Sequence, residues 1–269
     1  MKKIYNLSIY LLLLFVLHSC TTYKSQYGKN IVNPIEEKPT NSELTHRFYL
    51  IGDAGNAEEP EAQETLKLFE ERLKESDENA TLVFLGDNIY PKGMPTEKGS
   101  KERKLAEEKI TFQLEIAKNF KGKTVFIAGN HDWYNGIEGL EAQSKFVTDY
   151  LEDKKAFLPR NSCGIERLKI NDDVVMITID SQWFLEDWNN YPTINDDCEI
   201  KTKEAFFEEV KSLLNKHQNQ TVILAIHHPL LSNGEHGGQM LSINQQLYPV
   251  GNVPPLPRES LRVVLQFKY

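Results

Sequence analysis

Four short apolar runs in this chain, rich in β-branched and aromatic residues, each end on a polar residue. They are FYLIGDAGN (48–56), LVFLGDNIY (82–90), TVFIAGNHDW (124–133) and TVILAIHHPL (221–230), and runs of this kind predict strands. Between them the apolar spacing lengthens to that of a helix. Leu66, Phe69 and Leu73 share one face across 61–76, and Leu105, Ile110, Leu114 and Ala117 share another beyond a charged insert at 91–104. Phe206, Val210 and Leu213–Leu214 form a third stripe across 201–217. Residues 165–179 predict a β-hairpin turning near Asn171-Asp172-Asp173. At the end of the chain, alternation of Leu261, Val263, Leu265 and Phe267 predicts an edge strand. Strands separated by helices, with no internal repeat, predict an α/β layered fold built on a mainly parallel sheet.

The N-terminus breaks this pattern. Lys2 and Lys3 precede the apolar stretch IYNLSIYLLLLFVL, and His18-Ser19-Cys20 follow. A basic start, a short apolar run and a small residue before the cleavage point describe an export signal over 1–20. The run is shorter than the roughly 20 apolar residues that span a bilayer. Leu17, Ser19 and Cys20 resemble the lipobox of bacterial lipoproteins, which implies a lipid-modified Cys20 and an exported, membrane-anchored protein of the cell envelope. The alternative is an ordinary secretory signal cut near Cys20. Residues 21–45 are polar, carry two prolines and read as a tether, so the folded domain is expected over 46–269. Export leaves Cys163 and Cys198 either paired in a disulfide or buried as free thiols.

The formal charge of −8 over 269 residues argues against nucleic acid as a partner. With 40% hydrophobic and 26% charged residues, the chain is ordinary globular material. The chemistry therefore rests on the strand ends. In a sheet of this kind the polar residues there gather in one crevice. Asp53, Asp87, Asn130 and His227, with Tyr90 three residues beyond Asp87, offer oxygen and imidazole ligands suited to hard or borderline cations. Any one of these residues alone is weak, since an aspartate after a strand is often a cap or turn residue. His131 is placed to serve a substrate, with Asp132 expected to fix its tautomer and orientation. Of the adjacent pair His227 and His228, only one can point at the site. His236 lies in a glycine-rich loop, where it is either an exposed histidine or a substrate contact.

GDAGN, GDNIY, GNHD and the histidine before HP resemble the ordered motif blocks of calcineurin-like metallophosphoesterases, and GD-x-x-Y with EHG at 235–237 resembles the small, tartrate-resistant purple acid phosphatase branch. The resemblance implies a four-layer sandwich of two mixed β-sheets flanked by helices. It also implies two metal ions, iron paired with iron, zinc or manganese. Asp53, Asp87 and Tyr90 would hold a ferric-type ion, and Asp87, Asn130 and His227 the second, with Asp87 bridging. His131 and Asp132 would form the catalytic pair, and His131 and His236 would contact the substrate, a phosphorylated small molecule or phosphoprotein. The family's G-H-x-H block is missing from this sequence, which implies a chain truncated at its C-terminal part. A scaffold without activity, or a diesterase or nucleotidase on the same fold, are the other readings this permits.

Overall fold

The computed structural model describes residues 44–160 and 163–228, together with the backbone of a strand at 261–265. Cys20, the signal, almost all of the tether and His236 lie outside the described residues.

The first apolar runs form β1 (Arg47–Ile51), β2 (Ala80–Phe84) and β3 (Lys123–Phe126), a parallel sheet in the order β1-β2-β3. The second sheet contains β4 (Ile165–Lys169), β5 (Val174–Ile179), β6 (Thr221–Ile226) and β7 (Leu261–Leu265), in that order. There β4 and β5 make the expected antiparallel hairpin, and β5, β6 and β7 run parallel. The Asn171 side chain holds the hairpin turn by accepting from the backbone N–H groups of Asp173 and Val174. Among the described residues one sheet is thus mixed and the other parallel throughout.

Alternation along each strand builds the layers. Val83, Leu85, Val125 and Ile127 pack with Met176, Ile223 and Ala225 in a core between the two sheets. Their neighbours Leu82, Phe84 and Phe126 face outward onto helices, as do Val175, Ile177, Val222 and Leu224. Helices cover both outer faces, and the result is a four-layer α/β sandwich. On the first sheet α1 (Pro60–Leu73) and α2 (Lys101–Lys118) supply Leu66, Leu73, Ile110 and Leu114. The Phe84 and Phe126 rings stack at 4.1 Å beneath them. Ser100 caps α2 by accepting from the Arg103 N–H, so the charged insert ends in a helix rather than a loop.

A helix absent from the sequence expectation, α3 (Gly136–Tyr150), follows the GNHD segment. Its signal was present in Leu140, Gln143 and Val147, which are buried at helical spacing, but a polar run hid the stripe. The short α4 (Ser181–Leu185) and the longer α5 (Lys203–Lys216) complete the second face. Trp183 is fully buried there and Trp188 packs beside it at 4.6 Å, so this pair is core rather than a specificity surface.

Cys163 and Cys198 form a disulfide with their Cα atoms 5.4 Å apart. It ties the entry of β4 to the loop before α5. A bridge across a sequence separation of 35 is worth about 3–4 kcal/mol through the entropy it removes from the unfolded chain.

Candidate metal centre

The parallel strands deliver their last residues to one edge, and the backbone there bends sharply. Asp53 and Asp87 both sit in the left-handed region, at φ 55° and 54°. Aspartate is one of the few residues with a side chain that visits this region readily, and the turn swings both carboxylates back over the strand ends. Gly129 is required by contact. A Cβ at that position would collide with the backbone and carboxylate of Asp87.

Asp53, Asp87 and His227 each bring a ligand atom within 4.8 Å of the others. Tyr90 completes the first side of the cluster, its hydroxyl 2.7 Å from Asp53 Oδ1 and 2.8 Å from Asp87 Oδ2. One proton thus faces two carboxylates. Burial and both neighbouring carboxylates push the Tyr90 phenol well above its ordinary range, and a cation at this point would reverse that preference. Burial drives the Asp87 carboxyl upward too, but the positive charge His227 carries when protonated, together with the His131 N–H and the Tyr90 hydroxyl, outweighs it and holds Asp87 below its usual value.

On the second side, His227 Nδ1 lies 2.9 Å from the Leu85 carbonyl, which can only accept. The ring proton is therefore on Nδ1, and in the neutral imidazole Nε2 carries a lone pair. That lone pair faces Asn130 Oδ1 at 3.2 Å and Asp87 Oδ1 at 3.4 Å. In that neutral form three acceptor atoms face one another, Asp87 Oδ1 also accepting from the His131 N–H, and a cation placed among them would be satisfied by all three. The donor set of oxygens and one imidazole fits a divalent metal ion. His228 turns aside to Ser181, whose hydroxyl lies 2.7 Å from its Nδ1.

His131 stands at the mouth, its side chain 24% exposed. The sequence expectation gave Asp132 the task of fixing this ring, and the structure corrects it. The Pro91 carbonyl accepts from His131 Nδ1 at 2.7 Å, so Nε2 is the nitrogen presented to the site. Asp132 points the other way and is fully buried. Its carboxylate accepts from the backbone N–H groups of Gly129, Asn88 and Ile89 at 2.8, 3.0 and 3.2 Å, and from the side-chain amides of Asn88 and Gln143. It clamps the loop after β2 to the loop after β3. Burial and the nearby Asp87 raise its pKa to about 7, against the pull of these donors. Clamping groups of this kind, including Gln113, which donates to the Asn88 carbonyl, leave no motif in the sequence. Their partners are backbone atoms brought near only by folding.

A second buried carboxylate, Asp180, caps α4 and accepts from Trp133 Nε1 at 2.9 Å. Burial pushes its pKa from 3.8 up to about 7, although hydrogen bonds from Trp183 and Trp133 oppose the rise. Between those values the folded chain keeps a proton that the unfolded chain has lost. Stability therefore falls as pH rises through this window, by about 1.4 kcal/mol per pH unit, and levels off above pH 7. Asp180→Asn removes this contribution and leaves that of Asp132 in both proteins. Urea unfolding of both proteins is expected to show the wild type gaining roughly 2 kcal/mol on the variant between pH 7 and 5. A difference that stays flat across that range contradicts the assignment.

Carboxylates, an amide and an imidazole converging at the strand ends of a two-sheet sandwich suit a metal-dependent hydrolase. The model of the calcineurin-like phosphoesterase family matches residues 46–250, most of the chain, and the protein belongs to that family of metal-dependent phosphoesterases, which use divalent ions. No curated protein matches the chain.

Proposed function

We propose that this protein hydrolyses phosphate monoesters at a two-metal centre of the purple acid phosphatase kind. The observation that carries this reading is the second-side cluster, where His227 Nε2, Asn130 Oδ1 and Asp87 Oδ1 face one another as acceptors. Asp53, Tyr90 and Asp87 would hold a ferric-type ion, and Asp87, Asn130 and His227 a divalent partner such as zinc, manganese or iron. When bound, such a pair supplies an activated water at neutral pH and neutralises phosphate charge. The chain's own part is positional. Asp87 presents one oxygen to each side of the cluster, and Leu85 fixes the tautomer in which His227 can coordinate. His131 turns Nε2 toward the site, where it passes a proton to the departing alcohol or stabilises the phosphoryl group, a contribution of about 10²–10⁴-fold. His236 is proposed as a further phosphate contact.

A phenol ligand at Tyr90 supports the monoesterase branch over a diesterase. The formal charge of −8 supports a small phosphorylated molecule or phosphoprotein rather than nucleic acid as substrate. We further propose an exported protein tethered to the cell envelope through a lipidated Cys20. The Cys163–Cys198 disulfide supports export, because such bonds persist in oxidising compartments.

Elemental analysis of the purified chain after exhaustive buffer exchange, paired with aryl phosphate monoester and diester assays, tests the proposal. About two ions per chain and faster monoester turnover are expected. A chain that holds no metal and cleaves neither ester after reconstitution with iron, zinc or manganese overturns it.

A further inference from the structure

Tyr134 follows the GNHD segment and is 53% exposed, an unusual position for a large aromatic at the edge of a buried centre. Its hydroxyl lies 2.8 Å from Asn130 Nδ2, which donates to it. The opposite end of the same amide, Oδ1, faces His227 Nε2. An amide has one acceptor end and one donor end, so a partner that takes the N–H leaves the oxygen for a cation. The Tyr134 ring also lies 4.7 Å from the His131 ring, which meets Tyr90 at 4.5 Å. His131 thus lies beside two phenols, one half-buried in the cluster and one open to solvent.

We propose that Tyr134 is a positioning and specificity residue of this centre. Its hydroxyl holds Asn130 in the orientation that coordinates a metal, and its exposed ring, beside the imidazole that meets the leaving group, forms a platform for an aromatic leaving group. The substrate class this selects is an aryl-type phosphate monoester rather than a short alkyl one. The platform rests on the phosphoesterase reading above; the orienting hydroxyl does not, because it acts on metal affinity whether or not the chain turns over an ester.

Two variants of the full chain separate the parts. Tyr134→Phe keeps the ring and loses the hydroxyl. Titration with zinc alone, followed by calorimetry, is expected to show about tenfold weaker binding of one ion, the low end for removal of a group that orients a metal ligand. The ratio of KM for aryl and alkyl monoesters stays as in the wild type. Tyr134→Leu loses both, and KM for aryl phosphates is expected to rise about 2–10-fold relative to alkyl phosphates, the worth of one aromatic contact. A conservative change at the neighbouring position supplies the control. In an Asn130→Asp background both side-chain ends are oxygens, orientation no longer matters, and adding Tyr134→Phe costs far less zinc affinity. A residue that merely stabilised the fold would shift melting temperature without this coupling. Wild-type zinc affinity in Tyr134→Phe, or an equal loss in the Asn130→Asp background, overturns the orienting role. An unchanged aryl preference in Tyr134→Leu, in an enzyme shown to be active, overturns the platform.

Discussion

Asp87→Asn is expected to abolish retention of the second metal ion and to lower kcat/KM for phosphate monoesters on the order of 10³-fold or more. The carboxylate is fully buried, with Oδ1 accepting from the His131 N–H at 3.0 Å and facing His227, and Oδ2 accepting from Tyr90 at 2.8 Å. It reaches both halves of the cluster. Asparagine tolerates the same left-handed backbone, so the loop itself is preserved. It carries no charge, however, and offers one oxygen where two are needed. The amide nitrogen must also face either the His131 N–H beside His227 or the Tyr90 hydroxyl. Loss of a bridging charge removes several kcal/mol of transition-state stabilisation, and each 1.36 kcal/mol is tenfold in rate. Elemental analysis and an aryl phosphate assay read the two effects, and a melting curve confirms that the variant is folded. Retention of both ions with activity within tenfold of wild type would show that Asp87 does not bridge.

Asp132→Ala is expected to destabilise the fold by about 3–5 kcal/mol, a large part of the margin of most domains. Two effects of opposite sign meet here. Removing a buried carboxylate relieves its repulsion with Asp87, which contributes to the raised pKa of Asp132. It also strands the N–H groups of Asn88, Ile89 and Gly129, all in the buried clamp between the two ligand loops. The second effect wins, because each orphaned buried donor costs about 1–3 kcal/mol and there are several. Asp132→Asn should be milder. If its new amide nitrogen takes the place of Oδ1, the Asn88 and Ile89 N–H groups lose that acceptor. The remaining oxygen still serves Gly129, and Gln143 can turn its own oxygen, which has no hydrogen-bond partner, to accept from the amide. Urea unfolding orders the three proteins, with alanine well below asparagine and asparagine below wild type. An alanine variant as stable as wild type would show that the clamp contributes little.

Both effects depend on positions that the chain's patterning marks plainly. Asp53, Asp87, Asn130 and His227 were legible because a strand of alternating or continuous apolar residues cannot continue through a polar, glycine-flanked break. The break therefore falls at the sheet edge, where such residues meet. The hairpin around Asn171 and the helices carrying Leu66, Ile110 and Phe206 were legible for the same reason, since period and turn chemistry are local. The α3 helix was missed because it buries Gln143 among its apolar positions, and a buried glutamine reads as solvent-facing until its partner, Asp132, is known.

The disulfide and the role of Asp132 were beyond reach of the sequence for a different reason. Two cysteines allow a bridge, but only folding brings their Cα atoms to 5.4 Å. Asp132 beside His131 suggests an acid oriented toward its neighbour. The helical turn over His131–Trp133 instead sends the two side chains apart, one to the Pro91 carbonyl and one into the clamp. The sequence by itself determined which ligand types stand at the strand ends and in what order. Only the tertiary structure decided which of them converge on the candidate metal site, which ring nitrogen of each imidazole faces a carbonyl and what holds the loops still. Those properties are set by carbonyl and N–H groups distant in sequence, such as the Leu85 carbonyl that orients His227, and every residue other than proline offers the same backbone pair.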